Sequence, residues 1–126
     1  MVKDREEITL FDSGGNAVAY IAVDRNFTIY LWSGNPVAYI AGNNIYGLNG
    51  NHLGWYRDGI IRDQNGYAVG ATKSAFSGVT RLEPVKGVKQ IKPVKSIRQV
   101  APVTPVFINS WSRNDLQSFL LYGVGR

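Results

Sequence analysis

The sequence has no cysteine and only one histidine, His52. The lack of cysteine excludes disulfide bonds, cysteine-type zinc sites and thiol chemistry, and a lone histidine has no second nitrogen or sulfur ligand for a metal. No apolar run approaches the roughly 20 residues that cross a bilayer. The acidic, polar start at residues 1–7 does not resemble a secretory signal. These absences predict a cytoplasmic protein with no membrane span, no metal and no cofactor.

The sequence also lacks an arrangement of residues that would support catalysis. Ser110 and Ser112 have no nearby base, and Gly14-Gly15 opens a turn and not a phosphate-binding helix. The aspartates lack the dense alternating spacing of a calcium loop, and His52 follows Asn51 in a predicted turn, where it is expected at the surface. We therefore predict that the protein is not an enzyme and has no catalytic residues.

The composition predicts one globular domain over residues 1–126. Hydrophobic residues make up 44% of the chain and charged residues 18%, which is typical of a folded protein. The net charge of +5 is concentrated late in the chain. Residues 1–80 carry six Lys/Arg against seven Asp/Glu, whereas residues 81–126 carry eight against two. This asymmetry indicates a near-neutral body followed by a basic segment.

Residues 8–72 contain an internal repeat of four units, at 8–21, 28–40, 44–56 and 59–72. The turn glycines Gly15, Gly34, Gly50 and Gly66 are 19, 16 and 16 residues apart, and apolar and aromatic positions keep the same spacing. Each unit has an apolar strand, a Gly/Asn turn and a second strand, which is the pattern of a β-hairpin. We predict a mostly β fold with four hairpins around a pseudo-four-fold axis, because related hairpins can share one core.

Residues 84–107 form eight consecutive triplets, which begin PVK, GVK, QIK and PVK. The middle residue is always Val or Ile. The third residue is cationic five times in succession, at Lys86, Lys89, Lys92, Lys95 and Arg98. A period of three matches a polyproline II helix and not an α-helix or a strand. The segment is therefore predicted to be extended, as polyproline II or as a strand paired with a sheet edge.

The triplets allow two functional interpretations. The five cations could track the phosphates of a nucleic acid or an anionic membrane. Alternatively, the unbroken Val/Ile row docks on the β body, and the lysines face water. We favour docking, which is compatible with polyanion binding. If the segment instead docked on a neighbouring subunit, the exchange would produce a homo-oligomer.

Two further features complete the chain. The aromatic residues Tyr20, Tyr39 and Trp55 recur once per unit, and they could stack on a ligand at a symmetric opening, although a layer of the core is the preferred interpretation. Near the end, Ser112 with Asp115 three residues later resembles a helix start, so a short helix is predicted over 112–121, anchored by Trp111 and Phe119.

Taken in order, the four glycine-turn hairpins, the Pro-Val-Lys triplets and the Ser110-Trp111-Ser112 ending resemble the four-fold β-flower domain proteins, which are small and bacterial. The resemblance extends from Ile8 to Leu121. It implies four hairpin petals around a pseudo-four-fold axis, and it implies no activity or site residues. The fourth unit departs from the pattern, because it ends in Ala71-Thr72 where the others have aromatic residues.

From these patterns we predict a non-enzymatic structural or interaction module that self-associates, with the C-terminal segment as its contact surface. Polyanion binding by Lys86–Arg98 is the alternative, and small-ligand binding by the repeat aromatics is the third.

Overall fold

The computed structural model describes residues 7–124. Eight antiparallel strands come first and form a closed barrel in sequential order, β1 pairing with β8. The strands are β1 (Ile8–Phe11), β2 (Ala17–Ile21), β3 (Thr28–Leu31), β4 (Pro36–Ala41), β5 (Asn44–Gly47), β6 (His52–Arg57), β7 (Ile60–Arg62) and β8 (Ala68–Ala71). One helix, α1 (Leu116–Leu121), follows near the end of the chain.

Each pair of consecutive strands from β1 to β8 is one hairpin, and the four hairpins share the same irregularity. The register shifts just before the turn, at Leu10/Phe11, Ile29/Tyr30, Ile45/Tyr46 and Ile61/Arg62. Such shifts bend a strand sharply, which allows short strands to close into a barrel. The turn glycines have φ between +80° and +103°, a conformation that side chains with a Cβ rarely adopt. The predicted four-hairpin fold is confirmed.

The core of the barrel repeats with the hairpins. One residue from the first strand of each is fully buried: Leu10, Ile29, Ile45 and Ile61. Leu116, Phe119 and Leu120 of α1 pack into the same cluster. Two glycines make room for them, because a Cβ at Gly70 would meet Leu116 and one at Gly54 would meet the Phe119 ring. The barrel interior is therefore filled by its own strands and by α1.

The helix begins later than predicted, at Leu116 and not at residue 112. Its N-cap is Asp115, whose Oδ1 accepts the Ser118 N–H at 2.7 Å. The reason is that the preceding residues are held extended against β8: the Ala68 N–H donates to Ser110 O at 3.0 Å, and the Ser112 N–H donates to Ala68 O at 2.7 Å. No helix within residues 7–124 is long and apolar enough to span a membrane.

Residues 79–108, here called the strap, contain no helix or strand. The strap passes all four hairpin turns in order, and four of its N–H groups donate to the turn-glycine carbonyls at 2.8–3.0 Å. The donors are Arg81, Gln90, Gln99 and Ile108, and the acceptors are Gly15, Gly34, Gly50 and Gly66, respectively. The donors are nine residues apart. Nine strap residues therefore correspond to one hairpin, and the strap encircles the turn end of the barrel.

Candidate functional site

The barrel places pairs of side chains at the four seams where one hairpin meets the next. At the first seam, β2–β3, Tyr20 lies opposite Tyr30, and their ring centroids are 5.4 Å apart. At the second seam, β4–β5, Tyr39 lies opposite Tyr46 at 6.0 Å. Residues opposite each other on antiparallel strands share a face of the sheet, so the hairpin repeat produces stacked tyrosine pairs outside the barrel core.

The strap cations lie on these tyrosine pairs. At the first seam, Lys86 Nζ is 4.6 Å from the Tyr20 ring centroid and 5.1 Å from that of Trp32. Lys89 Nζ lies 5.6 Å from the Tyr30 centroid. A cation within about 6 Å of an aromatic face is attracted to the ring. The first seam therefore holds two strap lysines.

The second seam repeats this arrangement nine residues later in the strap. Lys95 Nζ is 4.4 Å from the Tyr39 ring centroid, and the Arg98 guanidinium is 5.3 Å from that of Tyr46. Arg98 Nε also donates to the Tyr39 hydroxyl at 3.1 Å. Lys95 lies nine residues after Lys86, and Arg98 lies nine residues after Lys89. Because nine strap residues correspond to one hairpin, the strap places a pair of cations on each of the first two seams.

Two carboxylates reinforce the contact. The Glu7 carboxylate forms ion pairs with Lys86 and Lys89, with N–O distances of 2.7 Å and 2.5 Å. The Asp24 carboxylate pairs with Lys92 Nζ at 3.1 Å. Burial alone would raise the pKa of Glu7, but the hydrogen bonds from the two lysines outweigh it and hold that pKa below its ordinary value. Glu7 is therefore an ionised anchor for the strap at neutral pH.

At the third seam the cations belong to the body and not to the strap. Trp55 lies opposite Arg62 across β6–β7. The strap contributes the aromatic ring here, since the guanidinium groups of Arg57 and Arg62 lie 5.2 Å and 5.0 Å from the centroid of Phe107. Phe107 occupies the position nine residues after Arg98. The cation–aromatic contact is thus retained where the triplets lose their charge.

At the fourth seam, β8–β1, no cation from residues 7–124 lies on the aromatic residue. Phe11 lies opposite Ala71, and Phe76 packs 6.5 Å from the Phe11 ring centroid. The departure that the sequence indicated at Ala71 is therefore present in the structure, and a phenylalanine from the segment after β8 fills the space.

The strap is docked by its cations, and the prediction that its Val/Ile row docks on the body is wrong. The middle residues of all eight triplets are 84–95% exposed, whereas Lys86 and Lys95 are half-buried. The physical reason lies in the surface of the body, because the barrel core is already filled by its own strands and by α1. What that surface offers at the first two seams is tyrosine faces and carboxylates, which attract cations.

These contacts change the interpretation of both predicted sites. Tyr20, Tyr39 and Trp55 are only 1–3% exposed, so the prediction that they stack on a ligand at an open mouth is wrong. They are buried, as the preferred interpretation expected, but they form a layer under the strap and lie outside the main cluster of the barrel core. The five residues predicted to bind polyanions are brought together along one strap, at Lys86, Lys89, Lys92, Lys95 and Arg98, and each contacts a ring or a carboxylate of the body.

His52 is not at the surface, contrary to the sequence prediction. It is buried between Tyr46 and Trp55, at centroid distances of 5.2 Å and 4.8 Å. Its Nε2 lies 2.9 Å from Asn44 Oδ1, and its Nδ1 lies 3.1 Å from Gln64 Nε2. An amide nitrogen can only donate and an amide oxygen can only accept, so the imidazole is neutral with its proton on Nε2. Burial lowers the pKa of His52, which keeps it neutral.

The sequence contains a nine-residue repeat that indicates how the strap aligns with the hairpins, but the more obvious three-residue repeat draws attention away from it. Residues 78–104 form three consecutive nine-residue units, GVTRLEPVK from Gly78, GVKQIKPVK from Gly87 and SIRQVAPVT from Ser96. The Val/Ile row of the strap also continues upstream to Leu82 and Val79. A nine-residue repeat beside a four-unit hairpin repeat would have predicted one strap unit per hairpin.

Among residues 7–124 there is no group of three or more His, Asp or Glu side chains that could hold a metal ion.

The comparisons with known proteins identify a family. A family model described as "4-fold beta flower protein" matches residues 8–120. No curated protein and no solved structure matches significantly.

Proposed function

The chain belongs to the 4-fold beta flower family, and from that premise we propose that it is a non-enzymatic interaction module that self-associates through its strap. The observation that carries this proposal is the outward row of the strap, here called the ridge. The ridge consists of ten residues at every third position: Val79, Leu82, Val85, Val88, Ile91, Val94, Ile97, Val100, Val103 and Val106.

The ridge is an unusually apolar surface. Its ten side chains are 84–96% exposed, and none of them is charged. Fully burying one Val, Leu or Ile side chain stabilises by roughly 1.5–3 kcal/mol. At roughly 25 cal/mol per Å², that free energy corresponds to roughly 60–120 Å² of buried apolar area. Ten of them amount to roughly 600–1,200 Å², which exceeds the largest apolar patch of most monomers. A surface of this size and composition is typical of an interface.

A second copy of the chain is the partner that fits best. The ridge area is close to the roughly 800 Å² that each partner contributes to a stable interface. For an extended segment with about 3.1 Å rise per residue, side chains three apart are about 9 Å apart, which leaves room for a partner's side chains between them. Two identical ridges can therefore interdigitate around a two-fold axis, and the absence of charge on the ridge avoids repulsion there.

Polyanion binding has less support. Lys86 and Lys89 are paired with Glu7, and Lys92 with Asp24. A phosphate would have to replace these carboxylates and lift the cations from the tyrosine rings.

Sedimentation equilibrium of the full chain tests the proposal. The ridge variant V88T/I91T/V94T/I97T keeps β-branched side chains and replaces apolar groups with hydroxyls. We expect the wild type to associate and the variant to do so at least tenfold more weakly. The control variant Q90S/A101S/T104A changes exposed strap positions outside the ridge, and it should associate like the wild type.

Two results would overturn the proposal. One is a wild type that stays monomeric across the accessible concentrations, and the other is a ridge variant that associates as well as the control. Anionic vesicles and duplex DNA are the competing partners. Vesicle binding that the ridge variant loses, without self-association, would assign the ridge to membranes. DNA binding that weakens steeply with salt would favour the polyanion function.

A further inference from the structure

A polar cavity interrupts the four-fold symmetry beside the third seam. It has a volume of about 360 Å³ and lies where the third and fourth hairpin turns, the strap and the residues around α1 meet. Its polar lining consists of His52, Asp63, five carboxamides (Asn51, Gln64, Asn65, Gln99 and Asn114) and Tyr122. The positions that correspond to His52 in the other hairpins are Ala17, Pro36 and Ala68, so the repeat does not require a polar residue there.

Two buried polar side chains form the inner wall. His52 is 6% exposed and Asp63 is 8% exposed. The Asn44 and Gln64 side chains fix the neutral imidazole in one orientation. The N–H groups of Asn65 and Tyr67 donate to Asp63 Oδ1 at 2.9 Å and 3.0 Å. Both groups are therefore preorganised by hydrogen bonds that do not depend on a ligand.

The rim supplies adaptable hydrogen-bonding groups. The side chains of Asn65 and Asn114 are exposed and make no side-chain hydrogen bond to another residue of the described chain. Gln99, which belongs to the strap, accepts the His52 N–H through Oε1 at 2.7 Å, so its amide nitrogen still has donor capacity. Each carboxamide offers both donors and an acceptor.

The cavity also has an apolar side. Leu53 and Phe119 contribute to its lining, and the Tyr122 ring, which is largely exposed, stands at the opening. A mostly preformed cavity of a few hundred Å³ with convergent polar groups and an apolar wall is typical of small-ligand sites.

The charges in the cavity restrict the ligand class. Among residues 7–124, no lysine or arginine lines it, so a phosphate or carboxylate group would find no cationic partner in that part of the chain. The imidazole is neutral, and Asp63 is the only carboxylate among the described lining residues. What remains is a set of neutral donors and acceptors next to an aromatic ring, which suits hydroxyl groups and the C–H face of a sugar ring.

We propose that this cavity binds a neutral polyhydroxylated ligand of about the size of a monosaccharide. The carboxamides and Asp63 bond its hydroxyl groups, and Tyr122 contacts its apolar face. This inference does not rest on self-association, because none of the ridge residues lines the cavity.

The test is a titration of the ¹⁵N-labelled full chain, with chemical shifts of the Asn and Gln side-chain amides as the readout. D-Glucose, D-galactose and N-acetyl-D-glucosamine are the neutral probes, and glucose 6-phosphate and glucosamine are the charged ones. We expect saturable shifts at Asn65 and Asn114 with at least one neutral sugar. The charged analogues should bind no better than the neutral sugars.

Variants provide the controls. N65A/N114A removes two exposed amides that make no side-chain bonds to the described body, so it should fold normally and bind the sugar at least tenfold more weakly. N43A removes an exposed asparagine from the linker between β4 and β5, and it should bind like the wild type. Three results would overturn the inference: no saturable shift with any neutral probe, tighter binding of a charged probe, or undiminished binding by N65A/N114A.

Discussion

At the scale of single residues, the turn glycines meet two separate requirements. Gly34 has φ +103°, and a Cβ there would collide with the Val88 carbonyl of the strap. Gly15, Gly50 and Gly66 have the same two properties, with Val79, Ile97 and Val106 as the strap neighbours. Each glycine therefore permits both the hairpin turn and the close approach of the strap.

Gly34→Ala is expected to destabilise the protein more than Gly42→Ala. Both positions have positive φ, which costs an alanine about 1–2 kcal/mol, but a Cβ at Gly42 meets nothing within 4 Å. The free energy of unfolding from urea titration should fall by at least about 1 kcal/mol more for Gly34→Ala, because its Cβ must also displace the strap backbone. Equal losses in the two variants would show that the strap does not approach Gly34 this closely.

The sequence predicted these turns well and His52 poorly, for a physical reason. A Gly/Asn turn depends on local backbone conformation, which adjacent residues specify. The burial of His52 depends on Trp55 and Tyr46 on either side and on Gln64 from the next hairpin. Those contacts follow from barrel closure, and a local reading of the Asn51-His52 turn does not include them.

At the scale of the strap, the period of three was readable, but the side that faces the body was not. The Val/Ile row runs through all eight triplets and the cation row only through the first five, so the more regular row is not the one that faces the body. Which row turns inward depends on what the body presents. The paired tyrosines could be recognised as a repeating layer, but the register that stacks Tyr20 on Tyr30 is set by strand pairing between hairpins.

Glu7→Gln is expected to weaken the attachment of the strap in a pH-dependent way. The pKa of Glu7 is below its ordinary value of 4.5 in the folded protein, so the unfolded chain takes up a proton first as pH falls. The stabilisation from Glu7 is therefore complete above pH 4.5 and is lost as pH falls through the lower, folded-state pKa. Urea titrations should find the variant less stable by about 1 kcal/mol at neutral pH.

The difference between wild type and Glu7→Gln should vanish in acid, where both side chains are neutral. Glu83→Gln is the matched control, because Glu83 is an exposed strap carboxylate without an ion pair in the described chain. Its stability should match that of the wild type at either pH. A difference between Glu7→Gln and the wild type that persists unchanged in acid would mean that the carboxylate charge does not hold the strap.

At the scale of the whole molecule, the four-fold plan is followed in the backbone and varied in the side chains. The backbone repeats the same register shift and glycine turn four times. The first two seams hold strap cations, the third exchanges cation and ring, and the fourth is apolar. The regular elements were predictable because they repeat, whereas the polar cavity was not, because it arises where the repeat is interrupted.

The orientation of the strap is the central claim, and the absence of cysteine allows a direct test. A single thiol is introduced by Ile91→Cys on the ridge or by Lys95→Cys in the row of strap cations that faces the body. The rate of maleimide labelling of each variant is then measured from dilute to concentrated protein. In dilute solution the Ile91→Cys thiol should react about as fast as a short cysteine peptide, and the Lys95→Cys thiol at least tenfold more slowly. The Ile91→Cys rate should then fall as the protein concentration rises and the ridges associate. Faster labelling of Lys95→Cys than of Ile91→Cys in dilute solution would contradict the account, because the apolar row would then face the body.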